Sequence, residues 1–140
     1  MWQGSLAWEK PVRTLPTECV TILCQGLSAL VDLHEREEPI VHRDIKPGNI
    51  LVQSRVPLSI KFTDFGLSRV SKDLTTFCGT ALYLAPKVYT KESYTPVVDI
   101  WSYSLVAFKF AYGLPNHHGS KGRQWCKELS RKRMIAIPRT

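Results

Sequence analysis

The chain has 140 residues, 44% hydrophobic and 22% charged, enough apolar material for one globular core and too much for a disordered or low-complexity chain. Its formal charge of +7 suggests nucleic acid or a membrane surface until it is located: residues 1–116 carry 12 Lys and Arg against 11 Asp and Glu, net +1, and residues 117–140 carry 7 against 1, net +6. That terminal excess lacks the aromatic interleaving of a single-strand binder and any zinc-ligand spacing, so it reads as a solvated basic helix face and specific nucleic-acid binding is not expected.

Arg131, Lys132 and Arg133 also match a nuclear localisation patch, though three consecutive basic residues are a weak motif. Cys19, Cys24, Cys78 and Cys126 form no CxxC pair and no cluster with metal-ligand spacing, so reduced, unligated thiols are expected. There is no charged-then-apolar leader and no apolar run of about 18 residues. The expected location is cytoplasmic or nuclear, without membrane spanning.

In chain order, residues 1–16 show no sustained period, contain two prolines and read as an irregular lead-in. From Thr17, the residues Val20, Leu23, Cys24, Leu27, Leu30, Val31 and His34 recur at helical spacing, which predicts an α-helix with those residues on one apolar face. Thr17 is the candidate cap, and Glu18 suits the positive end of the helix dipole. Between residues 37 and 63, the runs IVH, NILV and SIKF predict short strands flanking loops. An irregular stretch follows to about residue 96. Then VVDIWSYSLVAFKFAYG, apolar nearly all round, predicts a buried helix ended by Gly113 and Pro115. A last amphipathic helix is expected over residues 121–134.

Four strings carry the chemistry: HRDIKPGN at 42–49, TDFGLSR at 63–69, CGTALYLAP at 78–86 and DIWS at 99–102. In that order, they resemble the eukaryotic-type protein kinase superfamily. Lys46 two residues after Asp44, with Pro47 following, resembles the serine/threonine type, and TTFCGTALYLAP resembles its calmodulin-dependent and checkpoint-like branch. The resemblance implies a protein kinase-like α+β fold. Its expected form here is the mainly α-helical C-terminal lobe with short β-hairpin strands, over residues 17–140, without the β-rich N-terminal lobe.

The implied chemistry is ATP-dependent phosphoryl transfer to protein serine or threonine, in which the protein mostly positions groups and neutralises charge. On this resemblance Asp44 accepts and orients the substrate hydroxyl proton, and Lys46 sets a positive charge against the transferring phosphoryl group. Asn49 and Asp64 are the implied Mg²⁺ ligands, joined by the phosphates of ATP. Arg43 marks a loop organised by an activating phosphate, with Thr76 the candidate phosphate site, Thr75 the runner-up and Arg69 a second cation for it. His42 and Phe65 match two members of a hydrophobic stack, Thr80 matches a structural threonine before the Ala-Pro pair, and Asp99 matches a helix residue that anchors the backbone of the catalytic loop.

The chain also departs from the family pattern. The 41 residues before His42 contain no GxGxxG, and VAFK at 106–109 lies in the wrong order and in a helix, which rejects Lys109 as the nucleotide lysine. Lys87 stands where the family has a buried glutamate, and Ser104 replaces a closely packed glycine. Three readings stay open: a serine/threonine kinase domain that is impaired as an isolated chain, a pseudokinase-type module binding a protein substrate or a regulatory kinase partner, and a non-functional truncated gene product.

Overall fold

A computed structural model describes residues 16–70, 74, 76, 78–80, 82–89 and 93–112. The lead-in before Pro16, the helix expected at 121–134 and Thr75 lie outside the described residues. Helix α1 spans Pro16–His34. It begins one residue before the expected Thr17, with Pro16 at its start, where a fixed φ and a missing N–H cost least. Thr17 therefore lies inside the first turn, and its carbonyl accepts from the Thr21 hydroxyl at 2.9 Å.

Four short strands follow: β1 Ile40–Val41, β2 Ile50–Arg55, β3 Leu58–Phe62 and β4 Arg69–Val70. β2 and β3 form an antiparallel hairpin through a turn at Val56 and Pro57, with an irregularity between Val52 and Ser54. Ile50 and Val52 point into the core and Gln53 points out, the alternation a half-buried strand requires. β1 pairs antiparallel with β4, a strand the sequence reading passes over because two residues carry no readable period. A short helix α2, Pro86–Tyr89, precedes the long helix α3, Val97–Tyr112.

Two apolar clusters hold these elements together. One joins Ile22 and Leu30 of α1, Ile50 and Val52 of β2, Ile45, Tyr83, and Tyr103 and Val106 of α3. The other gathers Val41, Leu74, Leu84, Ala85, Val88, Tyr94 and Val98. Gln25 fastens α1 to the hairpin, its amide donating to the Leu58 carbonyl and accepting from the Ile60 amide, both at 2.8 Å. α3 runs antiparallel to α1, with Asp99 beside His34 and Tyr103 beside Ile22.

Only part of the face the periodicity selects packs. Leu30, one of its residues, is fully buried, but Val20, Leu23, Leu27 and Val31 are 38 to 60% exposed, and the other buried positions are Ile22 and Gly26. α1 carries two apolar stripes, and Gly26 decides between them. The Tyr103 ring occupies the space a Cβ on Gly26 would need, and the Tyr103 hydroxyl donates to the Ile22 carbonyl. α3 thus approaches α1 along the one line where a side chain is missing.

One expected loss is corrected. Ser104 is exposed on α3 and donates to the Ile100 carbonyl at 2.8 Å, so it crowds no close packing. Lys87 is exposed on α2.

Candidate functional site

The loop from His42 to Asn49 runs between β1 and β2, and almost all of it is buried. Arg43 has a positive φ of 68°, a strained conformation for a side chain of that size. Asp99, 0% exposed, holds that conformation in place. Its carboxylate accepts the His42 amide at 2.7 Å and the Arg43 amide at 2.8 Å, and His34 Nε2 lies 3.0 Å from Oδ2. Gly79, at φ 102°, passes close to the same residue: a Cβ there would collide with the Arg43 carbonyl.

Asp44 follows directly. Its Oδ1 accepts from the Thr80 amide at 3.0 Å and from the Thr80 hydroxyl at 2.8 Å, and its Oδ2 accepts from Lys46 Nζ at 2.7 Å and Asn49 Nδ2 at 3.1 Å. All four acceptor positions of the carboxylate are filled. Burial pushes the Asp44 carboxyl up, but the bonds and charge from Lys46 and the bonds from Thr80 outweigh it and hold the group below the usual carboxylate range. Lys46 Nζ also donates to the Thr80 hydroxyl at 3.1 Å, so Asp44, Lys46 and Thr80 close a ring.

Asn49 reaches Asp44 because Pro47–Asn49 form a single 3-10 turn that folds it back, its Nδ2 donating also to the Asp44 carbonyl at 2.9 Å. The Asn49 carbonyl accepts from the Thr63 amide at 2.9 Å, which sets Asp64 beside the loop. Asp64 has a φ of 61°, and its carboxylate accepts from the Gly66 amide at 3.4 Å in an exposed position. Among the described residues, no group of three His, Cys, Asp or Glu could hold a metal by itself. Asn49, with its amide nitrogen turned to Asp44, and Asp64 offer two hard oxygens, which suits a Mg²⁺ completing its shell with nucleotide phosphates.

The remaining expected residues are placed as follows. The rings of His42 and Phe65 lie 4.7 Å apart, and His42 Nε2 donates to the Thr63 carbonyl at 3.0 Å, leaving Nδ1 to accept the Asp44 amide at 3.4 Å. Arg43 turns its side chain to the Leu67 carbonyl, at 2.6 Å, and to the Tyr94 hydroxyl, at 3.4 Å. Thr76 and Arg69 are exposed, Arg69 on β4. The sequence reading assigns no role to Tyr94. It places His34 on an apolar face, although an ionisable residue in an apolar stripe is a signal that a buried partner exists.

With this geometry in view, the comparisons are consistent. Residues 7–139 match the Protein kinase domain family. The chain is 33% identical over 131 residues to the DNA damage response protein kinase DUN1 of Saccharomyces cerevisiae, covering 79% of this chain and 25% of that protein. It is 39% identical over 99 residues to the serine/threonine-protein kinase DCLK3 of Mus musculus, covering 69% of this chain and 12% of that protein. To the serine/threonine-protein kinase Sgk3 of Rattus norvegicus it is 46% identical over 92 residues, covering 63% and 18%. The chain therefore belongs to the protein kinase family, within its eukaryotic-type serine/threonine superfamily. It spans a quarter or less of the length of these three relatives.

Proposed function

We propose that the described residues form the helix-rich lower lobe of a kinase domain that transfers phosphate from ATP to protein serine or threonine. The supporting observation is that Lys46, Asn49 and Thr80 all converge on the Asp44 carboxylate. Mg²⁺ and ATP, when bound, supply the phosphoryl group and the neutralisation of its charge. Asp44, kept ionised by its donors, takes up the proton of a substrate hydroxyl. With all four acceptor positions filled, it does so only if a donor leaves, and the Lys46 ammonium and the Thr80 hydroxyl can leave because they are side-chain groups at a half-exposed rim. Lys46 then faces the incoming phosphoryl group as a compact point charge. Asn49 and Asp64 would hold the Mg²⁺.

The 140 residues contain no GxGxxG loop, and positioning supplies most of the catalysis in this chemistry, so the chain by itself is expected to transfer phosphate weakly or not at all. The test compares the chain alone with the chain joined to the preceding part of a related kinase domain. ATP-dependent phosphorylation of a basic protein substrate is expected only from the joined form, and Asp44→Asn should abolish it. A joined form no better than its Asp44→Asn variant overturns the phosphotransfer reading. Asp44-dependent activity of the chain alone overturns its impairment. A pseudokinase-type binding role draws on one observation, the exposed apolar stripe Val20, Leu23, Leu27 and Val31, and requires that partner capture survive Asp44→Asn.

A further inference from the structure

Tyr94 sits between α2 and α3 and is 6% exposed. Its backbone amide donates to the Leu74 carbonyl at 3.0 Å and its hydroxyl donates to the Thr76 carbonyl at 2.9 Å. One residue thus holds two carbonyls, two positions apart, in the stretch that leads to Gly79 and Thr80. The same hydroxyl accepts from Arg43 Nη1 at 3.4 Å, while Arg43 Nε donates to the Leu67 carbonyl at 2.6 Å. A continuous path of hydrogen bonds therefore runs from Leu67 through Arg43 and Tyr94 to Thr76.

Packing alone does not account for this. The Tyr94 ring belongs to the cluster with Leu84, Val88 and Val98, where a phenylalanine would serve as well. The hydroxyl is what reaches out of that cluster, and it uses both its donor and its acceptor capacity. Burial pushes the Tyr94 hydroxyl up, so it stays protonated and able to donate. Its partner Arg43 is only 8% exposed, and a guanidinium at that depth needs acceptors.

We propose that Tyr94 is a positioning residue: through its hydroxyl it holds Thr76 to Arg43, beside the Leu74 carbonyl that its amide holds. The Thr76 carbonyl is separated from the guanidinium by that one hydroxyl.

The test is amide hydrogen exchange on the full chain with Tyr94→Phe, which keeps the ring and removes the hydroxyl. Exchange across residues 74–80 is expected to quicken by roughly tenfold, the equivalent of one buried hydrogen bond, with α3 amides over 97–106 unchanged. A Phe variant that exchanges like the wild type overturns the proposal, since a packing role alone predicts that result. So does a variant that quickens everywhere, which would be global loosening. The measurement requires no phosphate transfer, so failure of the kinase reading shows itself separately, as missing Asp44-dependent activity.

Discussion

Asp44 and Asp99 are both buried carboxylates, 7% and 0% exposed, and both collect hydrogen bonds from the loop at 42–49, yet they are held by different kinds of donor. Asp99 accepts two backbone amides, those of His42 and Arg43, and meets one histidine. Asp44 accepts one backbone amide and three side-chain donors, from Thr80, Lys46 and Asn49. Backbone donors cannot rotate away, so Asp99 fixes the loop. Side-chain donors can, so Asp44 is left exchangeable. The same charge at the same depth is an anchor in one place and a reagent in the other, and the donors make the difference.

The largest expected effect comes from breaking the anchor. Asp99→Ala leaves the His42 and Arg43 amides buried without acceptors, at about 1–3 kcal/mol each, so a loss of about 2–6 kcal/mol is expected. It should appear in urea unfolding as a lower midpoint with an unchanged slope. Asp44→Ala should cost less, about 1–2 kcal/mol, because the Lys46 ammonium and the Thr80 hydroxyl can turn to water and Asn49 keeps the residue-44 carbonyl, leaving one backbone amide, that of Thr80, without its acceptor. Equal losses at the two sites would remove the distinction between anchor and reagent.

The unequal legibility of the two carboxylates has a physical cause. Asp44, Lys46, Asn49 and Asp64 fall in two short strings whose order and spacing mark them, and a 3-10 turn is all that brings Asn49 back to Asp44. Asp99 is legible as the anchor of the loop backbone only through the resemblance carried by DIWS, because its partners, 56, 57 and 65 residues away, lie at separations no periodicity encodes. His34 was legible as a residue but not as a partner, because the position of α1 against α3 is set by Gly26, and a missing side chain leaves no apolar signal. For the same reason the exposed stripe Val20, Leu23, Leu27 and Val31 reads in sequence like a core face. Tyr94 was hidden differently: its ring is ordinary core, and only its hydroxyl links Arg43 to Thr76.

Acid tests how Asp44 is held. The Asp44 carboxyl is held below its usual range, so its contribution to stability is complete above the unfolded value of about 3.9 and disappears as the pH falls through the lower folded value. Lys46→Met removes a cation and a hydrogen bond that work against burial, so the folded value moves up. The acid limb of a stability-against-pH curve should then be shallower than in the wild type. An unchanged limb would mean that Thr80 alone keeps Asp44 ionised.

The smallest effect bears on whether the anchor helix has been altered by its departure from the family pattern. Ser104 stands where a close-packed glycine was expected, and crowding would make Ser104→Gly stabilising. In α3, however, the residues turned inward are Val98, Asp99, Ser102, Tyr103 and Val106, while Ser104 is exposed and bonds only along its own helix, to the Ile100 carbonyl. Nothing is relieved by removing it, and a helix interior disfavours glycine against serine by about 0.5 kcal/mol. Ser104→Gly should therefore destabilise by about that much, read as a small drop in the thermal midpoint. The sign decides the matter: a fall means that the substitution lies on the outer face and leaves Asp99 undisturbed, whereas a rise would mean that α3 is crowded and the anchor strained along with it.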